Sequence, residues 1–501
     1  MEVRRGRPTA IVCGLFVALL FMGPAGASEV DSTISASRAE GTSYLSDGMG
    51  PLPTSHPYGG AGHAQNTTWG SVGEPLLRLL PRFSTPNGTE LAFHGIDSVP
   101  EVRVISNAVC HEDEPIDDPM GLSAFNWVWG QFITHDIDLT TTQNGRSPGT
   151  SAESAYYKIP VDDVWMNPDG QEEFALRMFR SVVLPDTGTS SENPRQHPNN
   201  ITAWIDGGVI YGDDVHRANW LREFDGGRLK STPSTTGDLL PIANYSVEPT
   251  APRMSFAGFN SQTPYIAGDI RAQEHIALMA MHSLFVREHN RLATLLAEAN
   301  PSWTDEQLYQ TARTIVIAEV QVITYEEYLP SLGVVLDPWA GHHPEVSPSV
   351  SNAFATVAFR AGHSQIGSTI LRLDEDRQVI PQGNQNLFKG FFALENIEQD
   401  GGLDPVLRGL AYEVQPATDP GYVNDLRNFM FGSPGLGGQD MCAIDILRGR
   451  DHGVPPYADY RTSSVVGLEP ALNWSDITQN QTRVSQLSST YDNISHVDAL
   501  V

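Results

Sequence analysis

The chain has 501 residues, 40% of them hydrophobic, so it can bury a large core as one big enzyme domain or as two or three ordinary domains. It carries 31 Lys and Arg residues against 60 Asp and Glu residues, a formal charge of −29. Such an acidic surface argues against nucleic acid or an anionic membrane as a partner.

The first 27 residues have the pattern of a secretory signal peptide that is removed from the mature protein. Three arginines precede an apolar run over residues 10–22, and Ala25-Gly26-Ala27 provides the small residues that signal peptidase needs. An uncleaved membrane anchor is the weaker alternative, and no later stretch is apolar and long enough to span a bilayer. We therefore expect a secreted protein, periplasmic in a Gram-negative host, with no stable membrane anchor.

The segment after the signal is rich in Gly, Ser and Pro and has little periodic apolar content, which indicates an extended arm. We assign residues 28–44 to this N-terminal arm and residues 45–501 to one domain. Export would remove Cys13 and leave Cys110 and Cys442, which can form one disulfide or remain two buried thiols.

Helical periodicity with long Pro- and Gly-containing connections dominates the rest of the chain, and β-type alternation is sparse. Helix candidates span residues 121–134, 271–300, 304–328 and 349–362. The second ends before Pro301, and the third begins with Thr304 as N-cap and Gln307 as its capping-box partner. The sequence therefore predicts a mainly α protein, a single large helical domain with long loops and little β-structure.

The stretch from Trp129 to Thr140 places several kinds of chemistry on one short segment. Gln131 and His135 are four residues apart, so in a helix they lie on one face, where a base and a hydrogen-bonding partner can meet one small ligand. Asp136 and Asp138 follow with hard oxygen ligands. The alternative is the end of an amphipathic helix with a hydrogen-bonded, purely structural histidine.

Arg271 and Glu274 are spaced to share one face at the start of the second helix candidate. They form either an intrahelical ion pair, which contributes little to stability, or a pair in which the arginine stabilises negative charge on a ligand and the carboxylate contacts the same ligand.

His363 follows Gly362, and a glycine there lets a bulky planar group approach the backbone. A ligating imidazole needs an acceptor for its other ring N–H, and Asp445, in an apolar setting, can supply it. The alternative is an ordinary buried histidine, with Arg448 or Arg450 as the partner of Asp445.

The loop from Thr202 to Gly208 alternates oxygen-bearing groups. If this loop is extended, the side chains of Thr202 and Asp206 and the carbonyl groups of Trp204 and Gly208 point to one side, as a calcium ion requires. Polar loops often look similar, so the pattern has weight only together with Asp136.

Five motifs occur in this order: Trp129-Gly130-Gln131 with His135-Asp136, Arg271-x-x-Glu274, Arg287-Glu288-His289-Asn290-Arg291-Leu292, Phe359-Arg360-x-Gly362-His363, and Arg448-Gly449-Arg450-Asp451-His452-Gly453. In these motifs and their order the chain resembles the animal-type haem peroxidase superfamily, of the myeloperoxidase and peroxinectin type, from about residue 45 to near the C-terminus. A secreted microbial or invertebrate member is expected.

The resemblance implies a role for each matching residue. His135 resembles the distal base, Gln131 its water- or halide-binding neighbour, Arg271 the distal arginine and His363 the proximal ligand of the haem iron. The expected cofactors are haem b and Ca²⁺. The implied calcium ligands are Asp136, Thr202, Trp204, Asp206 and Gly208. Trp204 and Gly208 would bind through their carbonyl groups. The implied neighbours of the haem propionates are Asp138, Arg360 and Arg448.

Three positions depart from the mammalian pattern. Thr134 replaces an aspartate that forms one haem ester, so only Glu274 can still form an ester link to the haem. His275 replaces the methionine of myeloperoxidase, which should leave the haem a weaker oxidant. Asp445 replaces an asparagine beside His363, and a carboxylate there makes the imidazole more basic.

The resemblance implies a peroxidase that uses hydrogen peroxide to oxidise small anionic or aromatic donors through a ferryl state. From the departures we expect iodide, bromide, thiocyanate or phenols to be oxidised more readily than chloride.

One rival is a fatty-acid dioxygenase or cyclooxygenase-like enzyme, which needs a tyrosine near His363; residues 357–364 contain none. A second rival is a catalytically silent, peroxinectin-like adhesion protein, although 448–451 only approximates Arg-Gly-Asp. The sequence leaves the oligomeric state open.

Overall fold

The computed structural model describes residues 69–501, except residues 84–88, 94, 113, 144–151, 256–260, 339–345, 395 and 434–437. The expected signal peptide and N-terminal arm lie outside these described residues. Within the described ranges, no helix is both long and apolar enough to cross a membrane.

Helices connected by long loops make up most of the described chain, as the sequence predicts. In chain order they are α1 (Val102–Ile105), α2 (Phe125–Ile137), α3 (Gly208–Tyr211), α4 (Val215–Leu221), α5 (Ile276–Ala299), α6 (Asp305–Val322), α7 (Leu329–Ser331), α8 (Asn352–Thr356), α9 (Leu387–Gly390), α10 (Asp404–Tyr412), α11 (Asn424–Arg427), α12 (Met441–Asp451), α13 (Tyr457–Thr462) and α14 (Gln481–Thr490). π-Helical turns span Ser106–Cys110 and Ile323–Tyr328, and 3-10 turns span Ala358–Gln365, Trp474–Asp476 and Ile494–His496.

The β-structure is minor and antiparallel. Strands β1 (Ser154–Lys158) and β2 (Ala175–Phe179) pair in the register Ser154 to Phe179, and β3 (Thr369–Ile370) pairs with β4 (Gln385–Asn386). This confirms the expected mainly α architecture with little strand.

The core is organised around α5, which packs against α2, α3, α6 and α10. Phe132 of α2 stacks on Phe285 of α5 with ring centroids 5.1 Å apart. Aromatic stacking of this kind fixes the axial position of one helix against the other. It therefore positions α2, which carries Gln131 and His135.

Two of the predicted helices differ from the structure in ways that affect the site. Instead of beginning at Arg271, α5 begins at Ile276, because His275 is extended (φ −157°, ψ 166°) and caps the helix with its side chain. The candidate 349–362 is interrupted at Val357 and continues as the 3-10 turn that carries His363. The capping box of Thr304 and Gln307 is present as predicted.

Cys110 and Cys442 are joined in a disulfide across 332 residues of sequence, which settles the alternative that the sequence left open. Closing so long a loop restricts the unfolded chain, so we expect the double substitution Cys110→Ser/Cys442→Ser to cost about 2–4 kcal/mol of unfolding free energy. Denaturant titration of both proteins measures this. Adding a reductant should lower the midpoint of the wild type and leave that of the variant unchanged; equal midpoints without reductant would contradict the prediction.

Candidate active site

A cavity of about 720 Å³ lies between α2, the turn before α5 and the 3-10 turn Ala358–Gln365. Half of the site residues that the sequence singled out line it: Gln131, His135, Asp138, Arg271, Glu274, Arg360 and His363. The structure thus brings together segments that are far apart in sequence.

His135 lies on the α2 wall and is buried. Its Nδ1 has no hydrogen-bond partner among the described residues; the nearest carboxylate oxygen, Oδ1 of Asp269, is 3.6 Å away. Burial, reinforced by the positive charge of Arg271, holds the pKa of His135 well below its usual value. The imidazole is therefore neutral and able to accept a proton.

Arg271 lies in the turn before α5 and pairs with Asp269 rather than with Glu274. Its Nε and Nη2 donate to the two oxygens of Asp269, each at 2.8 Å, and Nη2 also donates to the carbonyl of Asp138 at 3.0 Å. Burial would raise the pKa of Asp269, but the charges of Arg271 and His135 and the hydrogen bonds from Arg271 together lower it. The expected helical face shared by Arg271 and Glu274 is wrong, because the chain is not helical before Ile276.

Sequence reasoning missed Asp269, although it stands only two residues before Arg271. Its N–H donates to the carbonyl of Val209 at 3.1 Å. Gly268 makes that approach possible, since a Cβ at this position would collide with the backbone carbonyl of Gly208 and with residues 209 and 210. The turn that carries Arg271 is therefore anchored on α3.

His363 lies on the 3-10 turn Ala358–Gln365, lines the cavity and is hydrogen-bonded to Asp445. Its Nδ1 donates to Oδ2 of Asp445 at 2.6 Å, which leaves Nε2 as the other ring nitrogen. Asp445 also accepts from Arg360 at 2.6 Å and from the hydroxyl of Tyr422 at 3.2 Å. Burial would raise the pKa of Asp445, but the neighbouring charges of His363 and Arg360 lower it.

Tyr422 is the second residue that the sequence did not reveal. Its ring centroid lies 6.1 Å from that of His363, and no local motif marks it. Asp445 therefore shares its charge among three donors, so its hydrogen bond to His363 is weaker than that of a carboxylate bound to the histidine alone.

Glu274 and Gln131 meet at the edge of the cavity. Gln131 Nε2 donates to Glu274 Oε2 at 2.9 Å, and Gln131 Oε1 lies 2.8 Å from His275 Nε2. Burial raises the pKa of Glu274 to about 7, against the opposing charge of Arg271. Glu274 thus titrates near neutral pH beside the space that a cofactor would fill.

The three residues expected near haem propionates fall into two groups. Asp138 and Arg360 line the cavity, and Asp138 Oδ2 is buried with no partner among the described residues. Burial raises the pKa of Asp138 to about 6. Arg448 is not among the lining residues: its Nη1 donates to the Phe179 carbonyl, to Ser181 and to Asp451.

The predicted calcium loop packs against the residue after His135. Asp136 is fully buried and accepts N–H groups from Gly207 at 3.3 Å and Val209 at 2.9 Å. The Thr202 hydroxyl lies 3.2 Å from Asp206 Oδ2 and 3.5 Å from the carbonyl of Trp204. Across the described part of the chain, no group of three or more His, Cys, Asp or Glu side chains could hold a metal ion, so a calcium site here would also depend on hydroxyl and carbonyl oxygens.

Gly208 and Asp213 add a detail that the sequence did not reveal. The carbonyl of Gly208 accepts the N–H of Gly212 at 2.7 Å, so one of its lone pairs is engaged within α3. Asp213 Oδ1 lies 2.5 Å from where a Cβ on residue 208 would stand, and 3.4 Å from the Thr202 nitrogen. A third carboxylate is therefore next to the loop.

Comparison with known proteins identifies the class. Residues 58–501 match the sequence model of the animal haem peroxidase domain. Peroxinectin A of Dictyostelium discoideum is 32% identical over 454 residues, which are 89% of this chain and 81% of the relative. Lactoperoxidase of Mesocricetus auratus is 32% identical, with 89% of this chain and 68% of the relative covered. The chain spans about a third of the length of the peroxidasin homologue of Mus musculus, to which it is 34% identical.

Solved structures agree with this assignment. Peroxidase A from Dictyostelium discoideum superposes with a TM-score of 0.79 at 30% identity, covering 91% of this chain and 84% of that chain. A fatty acid alpha-dioxygenase from Oryza sativa, at 18% identity and a TM-score of 0.65, shares the fold. The chain belongs to the animal haem peroxidase family. It is a haem peroxidase, an oxidoreductase that acts on hydrogen peroxide.

The residues around the cavity fit a haem. His363 presents an imidazole whose Nδ1 is held by Asp445, as an axial ligand requires. Buried polar atoms without partners among the described residues, Thr134 Oγ1, His135 Nδ1 and Asp138 Oδ2, belong to residues that line the same space. Unsatisfied buried groups are costly in an apolar interior, and a bound polar cofactor or ordered water can satisfy them.

Proposed function

We propose that this enzyme uses hydrogen peroxide to oxidise iodide, bromide, thiocyanate or phenolic donors, with His135, Gln131 and Arg271 on one side of the haem and His363 on the other. The observation that carries the proposal is that His135, Arg271 and His363, which come from three separate segments, line one cavity, and that His363 is hydrogen-bonded to Asp445. Haem b bound there supplies the iron at which peroxide is reduced and passes oxidising equivalents to the donor.

The protein moves one proton and stabilises one charge. With Nδ1 of His135 turned toward Asp269, Nε2 is the nitrogen that takes a proton from hydrogen peroxide and returns it to the departing oxygen. Arg271 has Nε and Nη2 committed to Asp269, so Nη1 is the nitrogen left to stabilise negative charge as the O–O bond breaks. His363 would hold the iron, and Arg360 and Asp138, which line the same cavity, would hold the propionates.

The test is a haem-loaded preparation of the full chain assayed with peroxide. We expect oxidation of a phenolic dye, and faster oxidation of iodide, bromide and thiocyanate than of chloride. Absence of any peroxide-dependent oxidation would refute the proposal.

One ester link between Glu274 and the haem is proposed, because the Glu274 carboxyl lines the cavity and Thr134 removes the second esterifying group. After treatment with peroxide, acidic acetone should leave haem attached to the wild type and extract it from Glu274→Gln, as absorption spectra and intact mass would record. Asp138→Asn, another buried carboxyl on the same cavity, is the matched control and should keep the link. Haem retained by Glu274→Gln would contradict the assignment.

We propose that a calcium ion binds Asp136, Thr202, Trp204, Asp206 and Gly208. Support comes from the chemistry of the donors, since carboxylate, hydroxyl and carbonyl oxygens are the ligands that Ca²⁺ takes. The proximity of the Thr202 hydroxyl to both Asp206 and the Trp204 carbonyl adds to it.

Removing this calcium should lower the thermal midpoint, because a ligand that binds only the folded state stabilises it. We expect a chelator to lower the midpoint of the wild type by a few degrees and to have no effect on Asp206→Asn, which should also lose the metal in elemental analysis. Asp376→Asn, at an exposed aspartate, should behave as the wild type does. A thermal midpoint of the wild type that the chelator does not change would count against the calcium site.

We also propose that residues 1–27 are a signal peptide, residues 28–44 an N-terminal arm and residues 45–501 the peroxidase domain. The family match over residues 58–501 supports the peroxidase domain.

A dioxygenase is the second candidate, since Tyr328 lines the cavity and Tyr422 lies near His363. Tyr422 itself is not among the lining residues, and its hydroxyl donates to Asp445. Oxygen uptake with a polyunsaturated fatty acid, in the absence of peroxide, would favour this candidate over the peroxidase.

A further inference from the structure

His275 connects the start of α5 to Gln131 at the cavity. The N–H of Leu278 donates to His275 Nδ1 at 3.2 Å, which is the N-cap bond of the helix. His275 Nε2 lies 2.8 Å from Gln131 Oε1. The ring is 4% exposed and packs against Trp127 with centroids 5.4 Å apart, so it is held in place.

These two bonds determine the tautomer of His275. A nitrogen that accepts a hydrogen bond carries no proton, so the cap bond leaves the proton of the neutral ring on Nε2. Burial lowers the pKa of His275 to about 3, and the ring is therefore neutral at ordinary pH. Nε2–H must then donate, and the atom of Gln131 that faces it must be the carbonyl oxygen.

The orientation of the Gln131 amide follows from this tautomer. With Oε1 engaged by His275, Nε2 is directed to Glu274, at 2.9 Å from Oε2. That bond uses one of the two amide hydrogens, and the other remains for a ligand in the cavity. A flipped amide would instead present a carbonyl oxygen, which repels anions.

We propose that His275 is a positioning residue that fixes Gln131 as an N–H donor and so favours anionic donors, such as thiocyanate or iodide, over phenols. The inference rests on the proposed function of the cavity and assigns the selecting role to a residue that acts through Gln131.

His275→Asn separates this role from helix capping. Asparagine is a preferred N-cap residue, so it can keep the bond to Leu278, but its side chain is too short to reach Gln131 as well. Loss of one hydrogen bond to an anion corresponds to about ten-fold weaker binding. In the haem-loaded chain without peroxide, we expect a thiocyanate titration of the Soret band to give a Kd raised about ten-fold.

Turnover of thiocyanate should be impaired in His275→Asn, and turnover of a phenolic donor should not. The KM for thiocyanate should rise in His275→Asn, while the KM and kcat for a phenolic dye change less than two-fold. His275→Gln, which has both reach and an N–H donor, should restore part of the thiocyanate affinity. Asp214→Asn replaces an exposed N-cap residue on α4 that takes no part in these hydrogen bonds, and it should alter neither the Kd nor the KM for thiocyanate.

The outcomes separate this inference from the function on which it rests. An unchanged thiocyanate Kd in His275→Asn would overturn the positioning role even if peroxidase turnover is normal. An equal rise in the KM for thiocyanate and for the phenolic dye would overturn it as well. Lack of phenol oxidation by the wild type would refute the proposed function, whereas the difference in Kd between wild type and variant would still decide the role of His275. If His275→Asn does not fold, His275→Gln provides the test, because it keeps an N–H donor that can reach Gln131. A thiocyanate Kd for His275→Gln as high as that for Gln131→Ala would overturn the positioning role of His275.

Discussion

Replacing His135 by alanine is expected to lower kcat for a phenolic donor by about 10²–10⁴-fold, the range typical of a lost general acid–base group. The reason is that His135 is the neutral imidazole on the α2 wall and the group placed to take the peroxide proton. His363 is unchanged in this variant, so haem should stay bound. The measurement is steady-state turnover at saturating donor, normalised to the haem content from the Soret band.

An exposed histidine provides the matched control. His216→Ala removes the same side chain at the surface of α4 and should leave kcat unchanged. A rate for His135→Ala within a few-fold of the wild type, at equal haem content, would exclude His135 as the base. A rate lost together with the Soret band would instead show that His135 is needed to retain haem.

Replacing Asp445 by alanine should weaken haem binding by about 10–100-fold, the effect usual when the hydrogen-bond partner of a metal-bound histidine is removed. His363 would lose the acceptor at 2.6 Å that orients its ring, and Arg360 would lose its only carboxylate partner among the described residues. Loss of haem to an excess of a scavenger, followed at the Soret band, measures the effect.

Asparagine at the same position provides the sharper comparison. Asp445→Asn keeps an acceptor of the same size and removes the charge, so it should retain haem and raise the reduction potential of the iron. Asp376→Ala, at an exposed aspartate, should match the wild type in both measurements. If Asp445→Ala held haem as tightly as the wild type does, Asp445 would not be the partner that supports the axial ligand.

The sequence predicted the local features of this fold because they depend on neighbours along the chain. The capping box at Thr304 and the helix that presents Gln131 and His135 arise from spacing within a few residues. The start of α5 was misplaced for a tertiary reason. The segment from Arg271 to Glu274 is apt for helix, but Arg271 turns to Asp269 and Glu274 to Gln131, and these contacts hold it in a turn.

The sequence by itself determined the family and the mainly α class, since ordered motifs and helical periodicity are properties of the chain alone, and it predicted the residues that carry chemistry. Only the tertiary structure decided how those residues are used. The bond from Arg271 to the Asp138 carbonyl, the hydroxyl of Tyr422 on Asp445 and the bond from His275 to Gln131 join segments that the sequence does not order relative to one another. The physical reason is that hydrogen-bond partners of buried groups are selected by packing, which brings donors and acceptors into contact irrespective of their separation along the chain.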